Sequence, residues 1–194
     1  MLDSPPRLVV VCTANLGRSP MGEALLASAL GDAAAVSSAG VEAASGRAPM
    51  AEAVRAMAAR SVDISGHRSR PLDASVMASA DLVLTMTRAH VRQVAVMHAS
   101  SFGRTFTFRE IVRRATPLGP RARTTTLAAW LAEVGRDRRA ADVVGDDPDD
   151  DIADPYRHPY AAYERAAAEL AASVDAFVRL AFPWVAGAIS PSPG

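Results

Sequence analysis

The chain has 194 residues, a single cysteine and equal numbers of basic and acidic side chains, 21 of each. That length supports one core and one domain, and zero net charge gives no field that would draw in nucleic acid or an anionic membrane. One cysteine excludes an intramolecular disulfide and fits a reducing compartment; residues 1–7 are too short and polar for a secretory signal, and Pro183 interrupts the apolar stretch 180–189, so a cytoplasmic protein without a membrane span is expected.

Residues 1–6 read as a flexible arm. Leu8, Val9, Val10 and Val11 then form a continuous apolar run of the kind found in strands buried on both faces, ending at Cys12. Thr13, Ala14, Asn15, Leu16 and Gly17 make a short loop closed by Arg18. Ser19 reads as a helix N-cap and Pro20 as the first helical residue. The helix that follows carries Met21, Ala24, Leu25, Ser28 and Ala29 on one face and ends at Gly31. A loop whose N–H groups converge at a helix N-terminus suits a bound phosphate and favours a thiolate at Cys12. Arg18 can fork two hydrogen bonds onto phosphate oxygens. An isolated cysteine is ordinarily a small buried apolar residue, but the order strand, cysteine, loop, arginine, serine, proline places a nucleophile and an anion clamp on one turn.

Farther along, residues 36–40 read as a second strand, 51–60 as a helix with Val54, Met57 and Ala58 on one face, and 64–71 as irregular. Residues 81–86 form another buried strand, followed by a helix bearing Val91, Val94 and His98. Residues 105–108 alternate as an outer strand, with Phe106 and Phe108 on one side. Strands each followed by helical sequence predict a small, doubly wound, four-stranded parallel sheet flanked by helices, an α/β fold that binds ligands at the carboxyl ends of its strands. Residues 109–145 read as helical, with arginines scattered over a solvated surface. Residues 146–154 hold six aspartates and read as a mobile, solvated loop. Residues 159–182 form an amphipathic helix through Tyr163, Ala167, Leu170, Val174, Phe177 and Ala181. Residues 183–194 read as a disordered tail.

Cys12, Arg18 and Ser19 at their spacing, with Asp154-Pro155-Tyr156 late in the chain, resemble the low-molecular-weight protein tyrosine phosphatase family, in the manner of an actinobacterial member. Ser37-Ser38-Ala39-Gly40, and Gly66-His67-Arg68-Ser69-Arg70 ahead of the strand at 81–86, fit the same family. The resemblance covers about residues 7–108 and 152–182, within one domain spanning 7–182. It implies metal-free, cofactor-free hydrolysis of phosphomonoesters, with a phosphotyrosine protein or another aryl phosphate as substrate. Cys12 would attack phosphorus, residues 13–18 would bind the phosphoryl oxygens, and Asp154 would protonate the leaving phenol and then serve as base toward water. The resemblance also gives Ser19 a hydrogen bond to the cysteine sulfur, Asn15 a loop-holding network with Ser38 and His67, and Tyr156 a place on the pocket wall. Tyr160 and Tyr163 read as packing residues of the last helix.

The chain departs from the family pattern in several places. Gly17 stands where many members have a second cysteine, residues 41–46 lack a pocket aromatic, Arg157 replaces a common glycine, and 109–151 is long. Two other functions share the cradle: arsenate reduction with an external thiol, and phosphoprotein binding without turnover. Asp154 favours the phosphatase, because a leaving-group acid is idle in a thiol attack on arsenic and in simple binding.

Overall fold

The computed structural model describes residues 4–186. Its centre is β1 (Arg7–Cys12), in which Leu8 through Cys12 are buried. Successive side chains of a strand point to opposite faces, so Leu8, Val10 and Cys12 enter one apolar cluster and Val9 and Val11 the other. This two-sided burial is why the run is continuously apolar instead of alternating.

The remaining strands are β2 (Ala35–Gly40), β3 (Leu82–Thr85) and β4 (Thr105–Thr107), all parallel, in the order β2-β1-β3-β4. The expected four-stranded parallel α/β sheet is the one observed. Helix α1 (Arg18–Leu30) follows β1; α2 (Ala51–Ala58) and the short α3 (Ala74–Ser79) lie between β2 and β3. Then come α4 (Arg88–Met97), α5 (Phe108–Ala115), α6 (Leu127–Val134), α7 (Tyr160–Ala181) and the single turn α8 (Pro183–Ala186). Phe177, Leu170 and Tyr163 of α7 join the larger cluster, together with Phe106, Phe108 and Trp130.

Several expectations need correction. Ser19 is not the N-cap of α1: the helix starts at Arg18 after Gly17, with no side-chain cap, and the Ser19 hydroxyl turns to Cys12 instead. Phe108 does not extend the outer strand, because Thr107 caps α5 by accepting from Glu110 N–H and Phe108 becomes helical. Helix α3 is not evident from the sequence pattern; it is short and weakly apolar, and Asp73 specifies it by accepting from the N–H groups of Ser75 and Val76. The chain expected to be disordered from 183 forms α8, and residues 187–194 lie outside the described residues, as do 1–3. Pro6 of the expected arm accepts from Ala35 N–H. The arginines and aspartates of 109–151 are not uniformly a solvated surface: Arg123, Arg136, Arg139, Asp146 and Asp149 are exposed, but Arg138 and Glu110 form a buried pair and Asp150 is buried between two arginines. No helix among the described residues is long and apolar enough to cross a membrane.

Candidate active site

Cys12 ends β1 in register with Gly40 at the end of β2, at the carboxyl edge of the sheet. The loop that leaves it is tied to β2's continuation: Val41 N–H donates to Cys12 O and Glu42 N–H to Thr13 O. Asn15 takes a left-handed backbone, φ 57°, a conformation that asparagine tolerates better than most residues. This turn buries its side chain completely beneath the loop. The Asn15 amide donates to Ser19 Oγ (2.9 Å) and Ser38 Oγ (2.8 Å), and its Oδ1 accepts from Arg70 N–H (2.9 Å). Its carbonyl meets His67 Nε2 at 3.0 Å. Every polar atom of that side chain is therefore used, as burial requires.

Ser19 Oγ lies 2.9 Å from Cys12 Sγ. With the Asn15 amide donating into Ser19 Oγ, the hydroxyl proton is free to point at sulfur. Arg18 is buried and donates from Nη1 to Ile152 O (3.1 Å) and from Nη2 to Asp154 Oδ2 (2.5 Å). Asp154 is half exposed, and its second oxygen accepts from Tyr156 N–H. Thus residues separated by more than 130 positions meet over one loop.

A cleft of about 330 Å³ opens above Cys12, lined by Thr13, Ala14, Leu16, Gly17 and Arg18, with Asp154 and Tyr156 at its side. Asn15, Ser19, Ser38 and His67 do not line it; they hold the loop from behind. The structure thus brings together every residue the sequence singled out, but in two shells of contact.

Sequence reasoning missed other residues. Glu23 accepts from Ser38 Oγ (2.5 Å) and lies 3.7 Å from His67 Nδ1, closing the Asn15 network. Met50 and Arg47 also line the cleft, and Met50 N–H donates to Leu16 O. Tyr163 is a cleft residue as well as a packing one, its hydroxyl donating to Met50 Sδ at 3.5 Å. Burial, then the nearby charges of Glu52 and Asp154, raises its pKa and keeps it a donor. His90 lies between Thr13 Oγ1 (3.0 Å) and Thr87 Oγ1 (2.7 Å). Burial, reinforced by the Arg18 charge, lowers its pKa to about 3. The neutral ring bridges the two threonines, donating from one nitrogen and accepting at the other. The capping Thr87 and a histidine three residues on were the only sequence signal for it.

Residues 7–117 match the family model described as low molecular weight phosphotyrosine protein phosphatase. The chain belongs to this family. The probable low molecular weight protein-tyrosine-phosphatase EpsP of Ralstonia solanacearum is 33% identical over 171 residues, 88% of this chain and 92% of that protein. Among solved structures, the low molecular weight protein tyrosine phosphatase from T. tengcongensis is 29% identical with a TM-score of 0.67, covering 90% of this chain and 98% of that one. The YwlE arginine phosphatase from Geobacillus stearothermophilus is 28% identical with a TM-score of 0.69, covering 90% and 92%. This low molecular weight phosphatase therefore shares its fold with relatives named for two different phosphorylated side chains.

Proposed function

We propose that this phosphatase hydrolyses phosphotyrosine in proteins, through a cysteinyl-phosphate and without a metal or cofactor. The observation that carries the reading is the convergence of Cys12, Arg18 and Asp154 on one cleft, with Ser19 bonded to the sulfur. The phosphoryl group would sit over the loop of residues 13–18, its oxygens accepting from Arg18, whose Nη2 now donates to Asp154. Cys12 sulfur attacks phosphorus and the bond to the phenol oxygen breaks. Asp154, displaced from Arg18 and carrying a proton as the neutral carboxyl, gives that proton to the oxygen. Water then attacks the cysteinyl-phosphate, Asp154 takes its proton, and sulfur leaves as a thiolate steadied by the Ser19 hydroxyl. Asn15, Ser38, His67 and Glu23 keep the loop in its curled form.

The walls support an aromatic substrate. Met50 offers a polarisable thioether and Tyr156 an aromatic rim, both suited to a flat ring. Arg47 at the same cleft would repel the guanidinium of a phosphoarginine. A nucleophilic thiol without a second cysteine in the chain needs a reducing compartment, which supports a cytoplasmic setting.

Assay of a phosphotyrosine peptide and a phosphoarginine peptide tests this directly. The wild type should release phosphate chiefly from the first, Cys12→Ser should release none, and Asp154→Ala should be slower by ~10²–10⁴. Preference for the phosphoarginine peptide would overturn the substrate; arsenate-dependent thiol oxidation with no hydrolysis would overturn the reaction.

A further inference from the structure

The stretch that leads into Asp154 is held by arginines that the chemistry above does not use. Arg92 donates to the carbonyls of Val143 (2.6 Å) and Gly145 (2.7 Å), and Arg109 to that of Pro148 (2.7 Å). The tightest hold is on Asp150, which is 1% exposed. Its Oδ2 accepts from Arg88 Nε (2.9 Å) and Nη2 (2.7 Å), and its Oδ1 from Arg113 Nε (3.1 Å) and Nη2 (2.9 Å). A carboxylate this far from water persists only where fixed donors replace its hydration, and two guanidinium forks do so with directional geometry.

From that anchor the chain runs to the active site through bonded groups. Asp151 Oδ1 accepts from Arg88 N–H (2.7 Å). Ile152, fully buried, donates its N–H to Met86 O just beyond β3, and its carbonyl accepts from Arg18 Nη1 (3.1 Å). Asp154 follows after Ala153. The placement of its half-exposed carboxyl is thus inherited from the start of α4 and from α5.

We propose that Asp150, clamped by Arg88 and Arg113, is a positioning residue for the reaction, fixing where Asp154 meets the leaving group. The inference rests on the reading of Asp154 as the leaving-group acid. It also gives the long 109–151 region a role in the chemistry, since α5 supplies one arm of the clamp and the segment after α6 supplies the clamped residue.

A role in placing the acid and a role in stability alone differ in leaving-group dependence. Asp150→Asn keeps the side-chain size and removes the charge. Phenyl phosphate, whose phenolate has a pKa near ~10 and needs the proton, should lose kcat/KM by about tenfold or more, since a misplaced group costs up to ~10²-fold. The loss for 4-nitrophenyl phosphate, whose leaving group is less basic, should stay below about threefold. Inhibition by inorganic phosphate should be unchanged, and Asp150→Asn should have no further effect on phenyl phosphate in an Asp154→Ala background. Arg113→Gln, which removes the more exposed arm, should show the same selective loss at smaller size and keeps the test available should Asp150→Asn fold poorly. No loss, equal losses on both esters, or an undiminished loss in the Asp154→Ala background would overturn the proposal. If Asp154→Ala itself lost equally on both esters, the acid reading would fail instead.

Discussion

His90 shows how much a single buried side chain couples site to stability. It is packed beneath Thr13 and its pKa is lowered from 6.5 to about 3, first by burial and then by the Arg18 charge. The unfolded chain takes up this proton near pH 6.5 and the folded one not until about pH 3. The histidine's contribution is therefore fully present above pH 6.5 and is lost as the pH falls through that window. One such proton gives a limiting slope of about 1.4 kcal/mol per pH unit. Replacing the ring by a neutral amide in His90→Gln should make the fall in urea midpoint between about pH 6.5 and pH 4 shallower than in the wild type. An equal fall in both proteins would show that the ring is not kept neutral by the fold.

At the scale of elements, the phosphate loop depends on how closely β1 and β2 approach at their carboxyl ends. A Cβ added at Gly40 would lie 2.5 Å from Thr13 O and 2.9 Å from Asn15 N, both backbone atoms of the loop. Neither can move without unmaking the turn that buries Asn15. Gly40→Ala should cost about 1–3 kcal/mol by overpacking. It should also lower kcat/KM by up to ~10²-fold through displacement of the loop. Gly103→Ala, which meets only open space, is the matched control and should change neither. Denaturation and aryl phosphate kinetics on the two variants measure both effects.

For the whole molecule, the excursion between α5 and α7 must be joined to the sheet for the clamp on Asp150 to hold its place. Arg138, after α6, forms a buried pair with Glu110 of α5 and also donates to Phe102 O. Its guanidinium lies 4.1 Å and 4.4 Å from the ring centroids of Phe102 and Phe106. Removing one partner of a buried pair strands the other charge, so Arg138→Met should destabilise by about 3–5 kcal/mol, read as a lowered urea midpoint. Adding Glu110→Leu should recover most of that loss, because a well-packed apolar pair avoids the desolvation of both charges. Failure of the double variant to recover would mean that the pair's hydrogen bonds, not its charge balance, secure this region.

The sequence by itself determined the elements whose signals are local. The apolar run into Cys12 and the apolar period of α7 are set by neighbouring residues, and the order of cysteine, loop and Arg18 marks the phosphate loop although distant residues hold it. The family motifs marked Asn15, Ser38, His67 and Asp154 before any contact was visible. Tertiary structure alone decided what the charged residues do. Arg88, Arg113, Arg138, Glu110 and Asp150 look like solvated charges in the sequence, because a charge carries no periodic signature of its partner. Only folding brings such residues within hydrogen-bond reach across 28 to 62 positions, and the burial of Asp150, Glu110 and Arg138 makes their pairing obligatory. The same holds for Met50 and Tyr163, whose local sequence marks no site, and for His90, hinted at by the capping Thr87 alone: folding brings all three to the cysteine loop.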